Sequence, residues 1–156
     1  MSVSAWRIVK RKHAADAFSG EGARLYGGRW NSPGVAMVYA VESRALAALE
    51  ILIHLESSNL LGEYVVFEVK MDPALIIAFD SSKLPDAWRS DPAPSGLQAA
   101  GDDWANRGAS PVLRVPSAIV PEESLFLLNP LHRDFSKLLI GTPSPFHLDP
   151  RLRSKR

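Results

Sequence analysis

The sequence predicts a single domain, residues 1–156, of the α+β class. Segments with the two-residue period of a strand and segments with the 3.6-residue period of a helix follow one another without the regular βαβ alternation of a doubly wound parallel sheet. With 46% hydrophobic and 22% charged residues, the composition is that of a soluble domain, and 156 residues suffice for one sizeable core. No repeat, heptad or low-complexity block interrupts the pattern.

Residues 3–9 (VSAWRIV) alternate and are rich in β-branched side chains, which predicts an opening strand. KRKHAADAFSG follows, polar and then small, and predicts a short helix ending at Gly20. In GARLYGGRWNSPG, residues 22–34, the glycines imply a loop that turns tightly or approaches something closely. Residues 35–40 (VAMVYA) read as a buried strand, and residues 42–59 as the strongest helix, with Ser43 as its N-cap. Residues 63–71 and 74–79 read as strands separated by Asp72 and Pro73, and DSSKLPDAW as a short helix. A loop over 91–96 precedes a helix that ends at Gly108. Short strands punctuated by prolines fill the remainder, and the basic tail DPRLRSKR is expected to fray.

The net charge of +1 is too small for bulk attraction to nucleic acid or an anionic membrane, so any anion must be bound locally. The absence of cysteine excludes disulfides and thiolate metal sites. The amino-terminal residues lack the apolar run of a secretory signal, and no apolar stretch reaches about 18 residues. A cytoplasmic protein is expected. No clustered His and Asp set suggests a metal.

Glu50 is the most informative residue. On a helical wheel over 43–57, Leu46, Leu49 and Ile53 fall on one side and Ala48, Ile51 and Leu55 on the other, which predicts a helix buried nearly all round. Glu50 projects between Leu46 and His54, and a buried carboxylate is costly unless paired. It is either a structural ion-pair partner of Arg44 or His54, or a carboxylate held in a cleft for catalysis. Arg24 and Arg29 are likewise either solvated turn residues or planar forks for a pyrophosphate, aided by glycine amides. The glycine spacing matches neither G-x-G-x-x-G nor a P-loop. Tyr26 and Tyr39 either pack or stack on a planar ligand. The four tryptophans are expected in core or rim packing.

GGRWNSPG, VYA, ALAALEILIHL, VPSAIVPEE and NPLH, in this order, closely resemble the RES domain, named for an arginine, a glutamate and a serine that correspond here to Arg29, Glu50 and Ser117. The resemblance spans almost the whole chain. It implies a fold like that of ADP-ribosyltransferases and a toxin neutralised by an Xre-type helix-turn-helix antitoxin. It also implies NAD⁺ as substrate, with loss of nicotinamide. On that reading Glu50 stabilises an oxocarbenium-like transition state and Arg29, with Arg24, pairs with the diphosphate. Tyr39 and Tyr26 sandwich the nicotinamide, while Asn31, Ser117 and Asn129 bind ribose or amide groups. Arg7 takes the place of a first-strand residue that fixes the adenosine side. Related transferases often carry a glutamine or glutamate two residues before the catalytic glutamate; here that position is Ala48, which leaves water, phosphate or a protein as acceptor. The alternative is a catalytically silent nucleotide- or partner-binding module, although a binder of an anionic dinucleotide gains nothing from a buried carboxylate.

Overall fold

The computed structural model describes residues 1–54 and 62–152. Strands β1 (Val3–Lys10), β2 (Val38–Val41), β3 (Tyr64–Met71), β4 (Ile76–Ala78), β5 (Val112–Pro116), β6 (Ser124–Leu128), β7 (Leu139–Ile140) and β8 (Ser144–Phe146) form one mixed sheet. Its order is β4-β5-β6-β2-β1-β3-β7, with β8 also pairing with β3. Every pair is antiparallel except β4 with β5, so the class is α+β, as the irregular mixture of periods predicts.

Alternation along the strands assigns two apolar faces. In the β1–β3 ladder Ile8 lies opposite Val66, and Ala5 opposite Val69. Ile8 and Val66 join Trp30, Met37, Val41, Leu125 and Leu127 in one cluster; Ala5 and Val69 join Val38, Ala40, Phe126 and Leu128 in the other. On the first face sit α2 (Arg44–His54), through Leu46 and Ala47, and α3 (Ser95–Arg107), through Leu97 and Trp104. Phe18 helps close the second face, meeting Phe67 edge-on at 5.1 Å.

Most expected elements exist, with shifted ends. The helix expected after β1 is a 3-10 turn, Arg11–Asp16, and so is that in DSSKLPDAW, where Ser81–Lys83 is capped by Asp80. The strand expected over 35–40 forms at Val38–Val41, and that over 74–79 forms at Ile76–Ala78 after a 3-10 turn whose N-cap is Asp72. Residues 55–59 of the expected helix and the tail from 153 lie outside the described residues.

Two expectations require correction. Residues 22–34 are not loop throughout: α1 (Glu21–Tyr26) forms once Gly20, at φ 76°, turns the chain into it. Nor is α2 buried all round, because one sheet face covers one side of a helix; Leu49 is 41% and Ile53 60% exposed.

Ser43 is the N-cap of α2: its Oγ accepts from the Leu46 amide at 3.1 Å. The same hydroxyl donates to Glu123 Oε1 at 2.7 Å, tying the helix to the segment before β6. Ser43→Ala is expected to cost about 1 kcal/mol in urea unfolding; an unchanged midpoint would remove the cap from the account.

Candidate functional site

The site begins with a tight turn. Gly28 and Asn31 exchange backbone hydrogen bonds, Gly28 N to Asn31 O at 2.9 Å and Asn31 N to Gly28 O at 3.4 Å, leaving Arg29 and Trp30 at the tip. Trp30 is fully buried beside Phe79, so Arg29 is the tip residue directed elsewhere. Its Nη1 donates to the carbonyls of Trp88 (3.1 Å) and Ser90 (2.8 Å), which orient the guanidinium without neutralising it. Among the described residues Nε and Nη2 carry no partner, so one edge of the fork remains for an anion.

Glu50 lies one turn beyond Leu46, on the side of α2 that turns toward the sheet, and is half-buried. Burial raises its carboxyl above the usual carboxylate range; the fields of His54 and Arg29 offset this in part. Neither forms an ion pair with it among the described residues. Arg44, the other local candidate, stacks on Trp6 at 4.0 Å. Among the described residues, the structure thus brings a carboxylate without an ion pair into the field of an arginine that no carboxylate neutralises.

Tyr39 connects the turn to β2. Its hydroxyl donates to Asn31 Oδ1 at 2.5 Å and accepts from the Trp30 amide at 3.1 Å, and burial pushes its pKa far up, so it remains a protonated donor. Asn31, fully buried, spends its amide on the carbonyls of Ala23, Ser32 and Val35. Both side chains hold the turn from within.

Ser117 and Asn129 are also buried and internally engaged. The Ser117 hydroxyl accepts from the amides of Ile119 (3.1 Å) and Val120 (3.1 Å), shaping the loop whose carbonyls at Ala118 and Ile119 receive Arg89. Asn129 donates to Ala105 O and accepts from Leu131 N; it borders a separate cavity of about 530 Å³ that does not include Glu50, Arg29 or Tyr39.

Arg24 and Arg7 do not join Arg29. Arg24 lies on α1 with its Nε–Nη2 edge taken by both carboxylate oxygens of Glu21, at 2.6 and 2.8 Å, because i and i+3 share a helix face. Arg7 stands opposite Phe67 on the sheet face away from α2, bonded to the carbonyls of Ala17 and Tyr39, and burial lowers its guanidinium to about 10. Tyr26, by contrast, is 85% exposed at the end of α1 and its ring is free to stack. Sequence reasoning missed the segment 88–90, which holds Arg29 through main-chain carbonyls that no residue pattern advertises.

The family model described as RES domain matches residues 4–149. The chain is 40% identical to a protein of Yersinia enterocolitica named Toxin Res, over 95% of this chain and 98% of that one. It is 40% identical to the Prs ADP-ribosylating toxin of a Sphingobium species, over 99% of each. The fold is shared with the crystal structure of the M. tuberculosis MbcT-MbcA toxin-antitoxin complex, at a TM-score of 0.76 and 20% identity, covering 94% of this chain and 85% of that chain.

Proposed function

Since the chain belongs to the RES domain family, we propose that it is the toxin of a toxin-antitoxin pair and that its cleft breaks the nicotinamide–ribose bond of NAD⁺. The observation that carries this reading is Glu50, a carboxylate without an ion pair among the described residues, in the field of Arg29, a cation that carbonyls orient and that no carboxylate neutralises among the described residues. Arg29 holds the diphosphate through its free edge. Glu50, ionised, faces the positive charge that develops on the ribose as nicotinamide departs. Tyr26 covers the nicotinamide side at the rim. Tyr39, Asn31 and Ser117 serve the site by holding the turn and the loop that shape it.

The ADP-ribosyl group then passes to water, phosphate or a protein side chain. The ADP-ribosylating relative supports the last of these, which would make the enzyme an ADP-ribosyltransferase and growth arrest its effect. The partner is an Xre-type helix-turn-helix antitoxin acting in the cytoplasm. Among the described residues, no helix is long and apolar enough to cross a membrane.

The test supplies purified protein with NAD⁺ labelled on the adenine side, with and without phosphate and cell lysate, and follows free nicotinamide and the label. Label in a protein band selects transfer, phosphate-dependent turnover selects phosphorolysis, and no nicotinamide under any condition refutes the reading. Arg29→Ala is expected to raise KM for NAD⁺ by about 10- to 100-fold, the loss of a charge-assisted contact. An unchanged KM would remove Arg29 from the diphosphate site.

A further inference from the structure

We infer that one face of α3, formed by Gln98, Gly101 and Asp102, is the platform that sets the position of Arg29, and that Gln98 is a positioning residue for substrate binding. The inference rests on the proposed role of Arg29 in holding the diphosphate.

The three residues stand at i, i+3 and i+4 and so share one side of the helix. Each meets the Arg29 turn at a different backbone group. Gln98 Nε2 donates to Gly28 O at 3.0 Å and Asn31 O at 3.2 Å, the two carbonyls that flank the tip. Asp102 Oδ1 accepts from Ser32 N at 2.9 Å, where the chain leaves the turn. Between them Gly101 has no side chain where the Trp30 carbonyl comes against the helix.

From the other side, Tyr39 receives the Trp30 amide. The backbone from 28 to 32 is thereby held by groups distant in sequence, and the Arg29 side chain is what leaves it. An arginine fork discriminates by direction, so a small rotation of its turn misdirects the free Nε and Nη2 edge. Gln98 touches neither the guanidinium nor the space between Arg29 and Glu50 in any hydrogen bond; its action runs through the turn.

The test uses Gln98→Ala and Gln98→Glu in the full chain, alone and combined with Arg29→Ala. KM for NAD⁺ and the Kd for ADP-ribose are expected to rise about tenfold in Gln98→Ala, with kcat within about threefold of wild type. In the Arg29→Ala background, adding Gln98→Ala is expected to change neither constant further, since no arginine remains to misplace. Gln98→Glu presents an ionised carboxylate to two carbonyls at neutral pH and is expected to bind less well than Gln98→Ala. Its deficit relative to wild type shrinks as pH falls and the acid form regains a donor.

A tenfold loss that persists in the Arg29→Ala background, or a lowered Tm with KM and Kd unchanged, overturns the inference. If wild type neither turns over NAD⁺ nor binds ADP-ribose, the proposed function fails and the platform is read separately. Amide hydrogen exchange at Gly28 and Asn31 is then expected to accelerate in Gln98→Ala while Leu97 and Trp104 keep their protection. Unaltered exchange at the turn overturns it.

Discussion

Glu50→Gln is expected to lower kcat for NAD⁺ cleavage by about 10²–10³-fold, the scale seen when a group that stabilises transition-state charge is removed, with little change in KM. On the proposed mechanism, turnover requires the ionised carboxylate. Because burial raises its pKa, the acid limb of the pH-rate profile is expected at higher pH than an ordinary carboxylate would give. The sign for stability follows from the same shift. A carboxyl raised in the folded state binds its proton more tightly folded than unfolded, so stability falls as pH rises from the unfolded pKa through the folded one. Glutamine lacks that dependence. The variant is therefore expected to melt above wild type at pH 8, with the difference shrinking as pH falls through the folded and then the unfolded pKa. Undiminished turnover, or a variant less stable at pH 8, would contradict the account; together, loss of activity and gain of stability would mark Glu50 as a residue kept for chemistry.

Gly101→Ala is expected to have the largest effect on stability. A Cβ built on Gly101 overlaps the Trp30 carbonyl oxygen, a backbone atom with no rotamer to move into. Relief requires α3 to lift from the turn, and Leu97 and Trp104, both buried, lift with it. A loss of about 3 kcal/mol or more follows, a fall in Tm of about 10 °C. Gly22→Ala is the control: nothing lies near its added Cβ, it sits in α1, and a helical alanine is preferred over glycine by about 1 kcal/mol. Paired melting curves decide the matter. Equal effects at the two glycines would mean that the α3 contact does not constrain the fold.

How much of this could be read from residues alone depends on what kind of group carries the information. The β1 and β3 alternation, the Ser43 cap and the Gly108 stop, at φ 64°, are local and were legible. The wheel over 43–57 shows which residues of α2 are apolar, but how many faces find a partner is a tertiary fact, and Leu49 and Ile53 find none among the described residues. At the candidate site, residue types pointed to Glu50 and Arg29. Arg24 is held by a neighbouring Glu21 through its Nε–Nη2 edge, a pairing that the loop reading of residues 22–34 does not reveal. Strand parity places Arg7 across the sheet from α2, and that needs the register with β3. For Tyr39, Asn31, Ser117 and Asn129 a polar side chain looks the same in sequence whether it faces a ligand or a buried backbone amide. Trp88 and Ser90 contribute carbonyls, which every residue has.

The position of β2 between β1 and β6 also bears on synthesis. A chain emerging from the ribosome makes the Arg29 turn and the Glu50 helix early, yet β2 waits for Phe126 and Leu128, and the turn waits for Gln98 and Asp102. Glu123, which ties down the start of α2, arrives only just before β6. Nascent and prematurely terminated chains that stop short of β6 therefore contain Arg29 and Glu50 without the strand pairing that holds the proposed site together. On the proposed function, the sheet order makes a chain extended through β6 the first species able to act, which gives an antitoxin most of the interval of translation in which to be present.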